Sequence, residues 1–250
     1  METKIVEERV EIRMLAGVSD AIFFRPDGAG TWPGVIHLTD IGGIRAVQSQ
    51  MAGRLAAEGY AVLMPNVFFR TARPPVIDNA ARASEELRMK RIAELSAGLP
   101  PEAMEEDADA YANFLESHKI VSKGAMGVVG YCFAGAMAMR TAAARPGTIV
   151  AAASFHGGRL CTDAPTSPHL SLPRINARLY FGHAVNDRSM PQEAIEKLNH
   201  ALESWGGKYE SEIYEGAYHS WTVPDSPVFN QPQAERAFRR LRELLEETLH

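Results

Sequence analysis

Cysteine is scarce in this chain, which carries only two thiols, Cys132 and Cys161, in 250 residues. Two cysteines cannot build the dense disulfide framework of a small secreted domain. They form no CxxC motif and no clustered histidine pair accompanies them, so the pattern of a zinc site is missing. We therefore expect neither a metal site nor a cofactor. A single disulfide between the two thiols stays open, although a reducing compartment disfavours it.

Positive charge is not in excess either. The 26 Lys and Arg residues are outnumbered by 31 Asp and Glu residues, which gives a formal net charge of −5. A mildly acidic protein offers no broad basic surface, so nucleic acids and anionic membranes are not expected as partners. The partner class that remains is a small-molecule substrate. The oligomeric state stays open between monomer and dimer.

Long apolar runs are missing as well. No stretch approaches the roughly 20 apolar residues that cross a bilayer as a helix. Residues 1–14 alternate charged and apolar side chains, without the basic and hydrophobic regions of a signal peptide, and predict a first strand instead. We therefore expect a cytoplasmic protein. Repeats, low-complexity segments and an obvious linker are also absent, so we predict one domain over residues 1–250.

The chain does contain a regular alternation of strand and helix patterns. Short apolar or alternating segments predict strands at 4–13, 18–25, 33–40, 60–66, 124–130, 149–155, 178–182 and 209–216. Amphipathic or small-residue segments predict helices at 44–58, 100–118, 133–145, 191–204 and 231–248. The first two strands are expected to be antiparallel, and residues 67–100 to be less regular. This alternation indicates an α/β fold with a mainly parallel sheet of about eight strands and helices on both faces.

The stretch VVGYCFAG, residues 128–135, holds the first candidate for chemistry. Cys132 falls between a predicted strand and the helix that starts near Phe133, where a nucleophile elbow would place it. The sharp turn requires small residues two positions to either side, and Gly130 and Ala134 meet that requirement. The helix N-terminus would also favour the thiolate form. The alternative, a small buried cysteine of the core, stays open.

A nucleophile needs a base, and the base needs an acid that orients it. Asp187 and His219 each follow a later predicted strand, in the order nucleophile, acid, histidine that is typical of α/β-hydrolases. The carboxyl ends of parallel strands meet at one edge of the sheet, where ligands bind. His183 is a rival for the base and Asp163 for the acid. Of the other histidines, His156 in SFHGG is expected to line the pocket.

Acyl transfer also needs hydrogen-bond donors for the developing oxyanion. The backbone N–H of Phe133 is one candidate, because it starts the helix after the cysteine. The backbone N–H of Ile41 is the other, since the glycine-containing segment TDIGG follows the third predicted strand. The segment DIGGI is too short and wrongly spaced for a dinucleotide-binding or phosphate-binding loop. An oxyanion loop is therefore the better interpretation.

Together these segments resemble the dienelactone hydrolase family of α/β-hydrolases. The resemblance covers essentially the whole chain and is carried by HLTDIGGI, GYAVLMPNVF, GYCFAG, SFHGGRL, FGHAVNDRSMP and EGAYHSW. It implies the α/β-hydrolase fold and a catalytic triad of Cys132, Asp187 and His219. It also implies that Asp40 occupies the place of a glutamate that holds the resting thiol in an unreactive state.

The same resemblance marks a difference in the substrate pocket. Val223 stands where the family carries an arginine that binds the substrate carboxylate, so that bidentate clamp is missing. Arg88 is a candidate replacement, with Arg82 and Arg159 as alternatives. A solvated surface charge is the competing interpretation for each of the three arginines.

Aromatic side chains near the strand ends indicate an apolar pocket. We expect Tyr131 and Trp221 to contact the substrate, together with Asp40, His156 and Arg88. Aromatic side chains at strand ends also occur in protein cores, and that alternative stays open.

These residues predict a cofactor-free hydrolase of carboxylic esters or lactones, similar to carboxymethylenebutenolidase, that works through a thioester acyl-enzyme. His219 would take the thiol proton and Cys132 would attack the carbonyl carbon, while Asp187 holds the imidazole in the right tautomer. A thioesterase or a carbon–halogen hydrolase of the same fold is the alternative. A non-catalytic ligand-binding or thiol-sensing protein is a third interpretation.

Overall fold

One eight-stranded sheet organises the described part of the chain, which is residues 3–250 without the side chains of Ala80 and Arg82 in this computed structural model. Its strands are β1 (Ile5–Met14), β2 (Gly17–Pro26), β3 (Trp32–Leu38), β4 (Ala61–Pro65), β5 (Val121–Tyr131), β6 (Ile149–Phe155), β7 (Arg178–Ala184) and β8 (Tyr209–Tyr214). Their spatial order is β1-β2-β4-β3-β5-β6-β7-β8. β2 pairs antiparallel with β1 and β4, whereas every pairing from β4 across to β8 is parallel. The parallel strands therefore end at one common edge.

Helices connect the strands and cover the sheet. They are α1 (Ala46–Ala57), α2 (Asn79–Ala83), α3 (Glu85–Ala97), α4 (Pro101–Ser117), α5 (Ala134–Ala144), a 3₁₀ helix (Pro168–Arg174), α6 (Gln192–Trp205) and α7 (Gln231–Leu249). Within the described residues, none of these helices combines the length and the apolar character that crossing a bilayer requires.

Two hydrophobic cores lie on opposite faces of the sheet, because successive strand residues point to opposite sides. Phe23 and Val128 belong to the core under α3, α4, α5 and α6, while their neighbours Phe24 and Val129 belong to the core under α1 and α7. Both faces are covered, as expected for a parallel sheet of buried apolar strands. The predicted α/β-hydrolase architecture is confirmed.

The main difference from the prediction lies in residues 67–100. This segment was expected to be less regular, yet it contains α2 and α3. The reason is that α3 buries little of its surface, with Leu95 as its one buried residue among those described, so the apolar periodicity that identifies a helix is weak. The start of α3 is instead marked by a polar cap, since Ser84 Oγ accepts a hydrogen bond from the N–H of Leu87 at 3.4 Å. The side chain of Arg82, a candidate carboxylate ligand, lies outside the described residues.

Candidate active site

Cys132 lies in a sharp turn between β5 and α5, at the edge where the parallel strands end. Its φ angle of 59° falls in the left-handed region, which is strained for residues other than glycine. The turn brings strand and helix backbones together, so a Cβ atom at Gly130 would lie 2.0 Å from the carbonyl oxygen of Ala134. Glycine at position 130 is therefore a steric requirement of the turn. The turn presents Cys132 to a cleft.

A chain of hydrogen bonds joins three loops at this edge. His219, in the loop after β8, has its Nε2 atom 3.0 Å from Cys132 Sγ. Its Nδ1 atom lies 2.6 Å from Oδ2 of Asp187, in the loop after β7. Both Cys132 and Cys161 are free thiols, so no disulfide competes for the sulfur. The structure thus brings together a thiol, an imidazole and a carboxylate that the sequence separates by 87 and 32 residues.

Ser189 supports the carboxylate of this chain and was missed by sequence reasoning. Its backbone N–H and its hydroxyl both donate to Asp187 Oδ1, at 2.8 and 2.7 Å. These bonds leave the other carboxylate oxygen, Oδ2, to face His219. The available signal was the segment NDRS, because a serine two residues after an aspartate often closes such a local turn.

The contacts shift the ionisation of both side chains. Burial alone would lower the pKa of His219, but hydrogen bonds to Asp187 and Cys132 outweigh burial and raise it to about 10. Burial alone would raise the pKa of Asp187, but its bonds to His219 and Ser189 lower it. At neutral pH the arrangement therefore favours a charged carboxylate and a protonated imidazole facing the sulfur. Such a pair can exchange a proton with a reacting group.

Two backbone N–H groups, the predicted oxyanion donors, have no acceptor among the described residues. The turn after β3 uses the N–H of Gly42 for Asp40 Oδ1 and the N–H of Gly43 for the Asp40 carbonyl, both at 2.9 Å. The N–H of Ile41 is left without an acceptor among the described residues, as is the N–H of Phe133 at the start of α5. Ile41 and Cys132 line the same cleft.

The cleft has a volume of about 460 Å³ and mixes apolar with charged side chains. Ile41, Ile77, Ile92 and Val223 form its apolar wall. Its charged side chains are Asp40, Arg45, Arg88 and Asp225. Within the described part of the chain, the guanidinium of Arg88 has no ion-pair partner. This volume falls in the range of small-molecule sites.

Arg45 joins two loops of the cleft and was not singled out by the sequence. It forms a bidentate pair with Asp40 at 2.6 and 2.8 Å and a second one with Asp225 at 2.8 and 2.9 Å, 180 residues away. Gln48 donates to the same Asp40 carboxylate at 3.2 Å. The carboxylate that the resemblance relates to the thiol is therefore held by Arg45 and Gln48, whereas the sulfur bonds to His219.

We expect Arg45→Met to destabilise the fold by about 3 kcal/mol, because it leaves the Asp40 carboxylate, 9% exposed, without its cation. The measurement is the free energy of unfolding in urea. Arg54→Met is a matched control, since it breaks a bidentate pair with Glu235 that is exposed at the surface and should cost less than about 1 kcal/mol. Equal costs for the two variants would contradict the expectation.

Three residues expected to contact the substrate lie elsewhere. His156 and Trp221 are fully buried, and Tyr131 is 5% exposed. Their rings pack together beneath the elbow, with His156 and Trp221 edge-on at 5.1 Å. Tyr131 lines a separate cavity between α1 and α7. The side-chain alternation along β5 and the fold of the loop after β8 leave these rings outside the lining of the cleft, whereas Asp40 and Arg88 do line it.

The rival residues lie apart from the sulfur. His183 is buried beside Ser211, and burial lowers its pKa to about 4. Asp163 is almost fully exposed and pairs with Lys197. Neither side chain contacts Cys132 or His219.

Comparison with known proteins relates most of the chain to one family. Residues 19–249 match the dienelactone hydrolase family. A carboxymethylenebutenolidase from Rhodococcus opacus is 27% identical over 203 residues, which cover 79% of this chain and 75% of that protein. A Salmonella typhi protein assigned as a carboxymethylenebutenolidase is 25% identical over 232 residues, covering 89% of this chain and 80% of that protein.

The fold is shared with a solved structure. The crystal structure of a Klebsiella pneumoniae protein assigned as a dienelactone hydrolase matches with a TM-score of 0.86 at 22% sequence identity. The match covers 97% of this chain and 99% of that one. At this identity the likeness concerns the fold alone.

Proposed function

Because the chain belongs to the dienelactone hydrolase family, a family of hydrolases, we propose that it cleaves carboxylic esters or lactones through a thioester formed on Cys132. The observation that carries this proposal is the hydrogen-bonded chain from Cys132 Sγ through His219 to Asp187. A nucleophile, a base and an orienting acid are the three parts that covalent acyl transfer requires. The reaction needs no cofactor.

The proposed reaction has two halves. His219 holds the proton taken from the thiol, Cys132 attacks the carbonyl carbon as the thiolate, and the N–H groups of Ile41 and Phe133 bind the oxyanion that forms. The intermediate then collapses, the C–O bond breaks, and the leaving alkoxide takes the proton from His219. In the second half, His219 takes a proton from a water molecule that attacks the thioester, the C–S bond breaks, and the acid is released, which leaves the proton on His219 beside the sulfur as at the start.

We propose that the substrate carries an acidic group. The support is Arg88, which has no ion-pair partner among the described residues and lines the same cleft as Cys132. A guanidinium favours a carboxylate over a neutral group. The relative from Rhodococcus opacus carries the name carboxymethylenebutenolidase, which denotes a lactone with a carboxymethylene substituent. Arg88 would provide the positive charge that is missing at Val223.

The test is a substrate panel combined with mass spectrometry of the acid-quenched enzyme. The panel holds a carboxylate-bearing butenolide, its methyl ester, para-nitrophenyl acetate, an acyl thioester and a chloroalkanoate. We expect turnover of the butenolide and an acyl adduct on the peptide that contains Cys132. Turnover of the thioester alone, halide release alone, or labelling of Cys132 without turnover would each replace this proposal with one of the other interpretations.

Arg88→Met should raise KM for the carboxylate-bearing butenolide about tenfold, equivalent to one charge-assisted hydrogen bond. KM for the methyl ester should stay unchanged, because the ester has no charge for Arg88 to bind. Steady-state kinetics on both substrates measure the difference. Lys90→Met, which changes an exposed charge on the same helix that does not line the cleft, is the control. A tenfold loss with both substrates would argue against a carboxylate contact.

A further inference from the structure

The imidazole of His156 lies directly beneath the elbow and contacts its backbone. Its Nδ1 atom is 3.0 Å from the backbone nitrogen of Cys132. Its Nε2 atom is 2.8 Å from the hydroxyl oxygen of Thr222. The same Cys132 N–H also reaches the carbonyl oxygen of Phe155 at 3.1 Å. The backbone of Cys132 is thus bound by the His156 side chain, which takes no part in the proton transfer between Cys132 Sγ and His219.

The hydrogen bonds determine the tautomer of the ring. A backbone N–H can only donate, so Nδ1 of His156 must accept and carries no proton. The proton of the neutral ring is then on Nε2, which donates to Thr222 Oγ1. A neutral ring agrees with its surroundings, because burial and the neighbouring His219 lower the pKa of His156 well below the usual value, despite Asp187 nearby. The ring of His219 lies edge-on to it at 5.3 Å.

Both residues joined by this bond have strained backbones. The φ angle is 59° at Cys132 and 42° at His156, and the left-handed region is unfavourable for both. Such conformations persist where surrounding contacts hold them. The backbone N–H of His156 bonds to the Gly182 carbonyl at 2.8 Å, which fixes the supporting residue to β7. The elbow is therefore tied to a neighbouring strand through His156.

We propose that His156 is a positioning residue, which accepts the Cys132 N–H and thereby aims the next N–H, that of Phe133, at the oxyanion. The backbone angles of Cys132 set the plane of the peptide bond between Cys132 and Phe133, and that plane carries the Phe133 N–H. This inference rests on the proposed function, since an aimed N–H matters only where an oxyanion develops. Thr222 takes part by holding the ring in the accepting tautomer.

A matched pair of variants separates the two hydrogen bonds of the ring. In His156→Asn, the amide oxygen stands where Nδ1 lies and can still accept the Cys132 N–H, and asparagine tolerates a positive φ. In His156→Gln, the longer side chain reaches toward Thr222, and the acceptor beside Cys132 is lost. The readouts are the acylation burst with para-nitrophenyl acetate and the alkylation of Cys132 by iodoacetamide, a displacement that uses no oxyanion donor.

We expect His156→Gln to slow acylation about tenfold at unchanged KM, the effect of one misdirected hydrogen bond. His156→Asn should stay within about threefold of the wild type, and alkylation should change less than about threefold in both variants. Equal slowing of acylation in the Asn and Gln variants, or a parallel loss of alkylation, would show a merely structural role and overturn the inference. A wild-type protein without ester turnover would instead overturn the proposed function.

Thr222→Val keeps the ring and tests the tautomer without changing His156. We expect nitrogen NMR shifts of His156 to show a protonated Nε2 in the wild type and part of the population protonated at Nδ1 in the variant. Acylation should slow in the variant while alkylation stays unchanged. A wild-type ring protonated at Nδ1 would overturn the inference, whatever the kinetics of the His156 variants.

Discussion

Cys132→Ala is expected to lower kcat/KM for an activated aryl ester by about 10⁵-fold, to the residual rate that binding and the oxyanion donors supply without a nucleophile. The sulfur is the atom that forms the acyl-enzyme, and alanine offers no atom that can take its place. Without the sulfur, water would have to attack the ester in a single step, with no covalent intermediate. The measurement is release of para-nitrophenol, with intact-mass analysis to show that no acyl adduct accumulates.

Cys161→Ala is the matched control for this experiment. Cys161 is the other free thiol of the described chain, and it is buried away from the cleft. Its replacement should leave the rate and the acyl adduct unchanged. Retained turnover in Cys132→Ala, or its loss in Cys161→Ala, would assign the chemistry to a different group.

Asp187→Asn should lower kcat by about 10⁴-fold and move the alkaline limit of the remaining activity toward lower pH. The carboxylate fixes the tautomer of His219 and stabilises its charge, and an amide does neither. Although burial lowers the pKa of His219, the bonds to Asp187 and Cys132 raise it to about 10 in the wild type. In Asp187→Asn the bond to the carboxylate no longer raises the pKa of His219, while burial still lowers it. The pKa of His219 therefore falls toward or below the ordinary value near 6.5.

The sign of the pH effect follows from the role of the proton. The protonated imidazole is needed to supply a proton to a poorly leaving alkoxide, so the rate for an alkyl ester or lactone holds below the pKa of His219 and declines above it. The pH dependence of kcat/KM should therefore show an alkaline limit near pH 10 in the wild type and a lower limit in Asp187→Asn. Asp163→Asn, a change at an exposed carboxylate, is the control. An alkaline limit unaffected by Asp187→Asn would count against a contact between acid and base in solution.

Much of the site could be predicted because its signals are local. The small residues around Cys132 reflect a steric requirement of one turn, because a Cβ atom at Gly130 would clash with the backbone of Ala134. The positions of Asp187 and His219 after their strands follow from alternating strand and helix patterns, and parallel strands bring such loops to one edge. The structure adds distances to these placements, while the catalytic roles remain proposals for the variants above.

Other features of the site depend on contacts that no local pattern contains. Arg45 meets Asp40 and Asp225 across 180 residues of chain, and an arginine of this kind looks like any surface charge in the sequence. The direction of the His156 ring depends on the positive φ angle of this residue, which the motif SFHGG does not predict. The same holds for Tyr131 and Trp221, whose rings were expected in the cleft and pack beneath the elbow.

The amino-acid sequence by itself determined the order of the eight strands and of α1 and α4–α7, the elbow at Cys132 and the loops that carry an acid and a histidine, because apolar periodicity and steric demand act between near neighbours. Tertiary structure alone decided which side chains face the cleft, which cation holds Asp40, and how far the pKa of His219 is raised. These properties arise from hydrogen bonds and burial between distant segments, and they exist only once the sheet has brought those segments together.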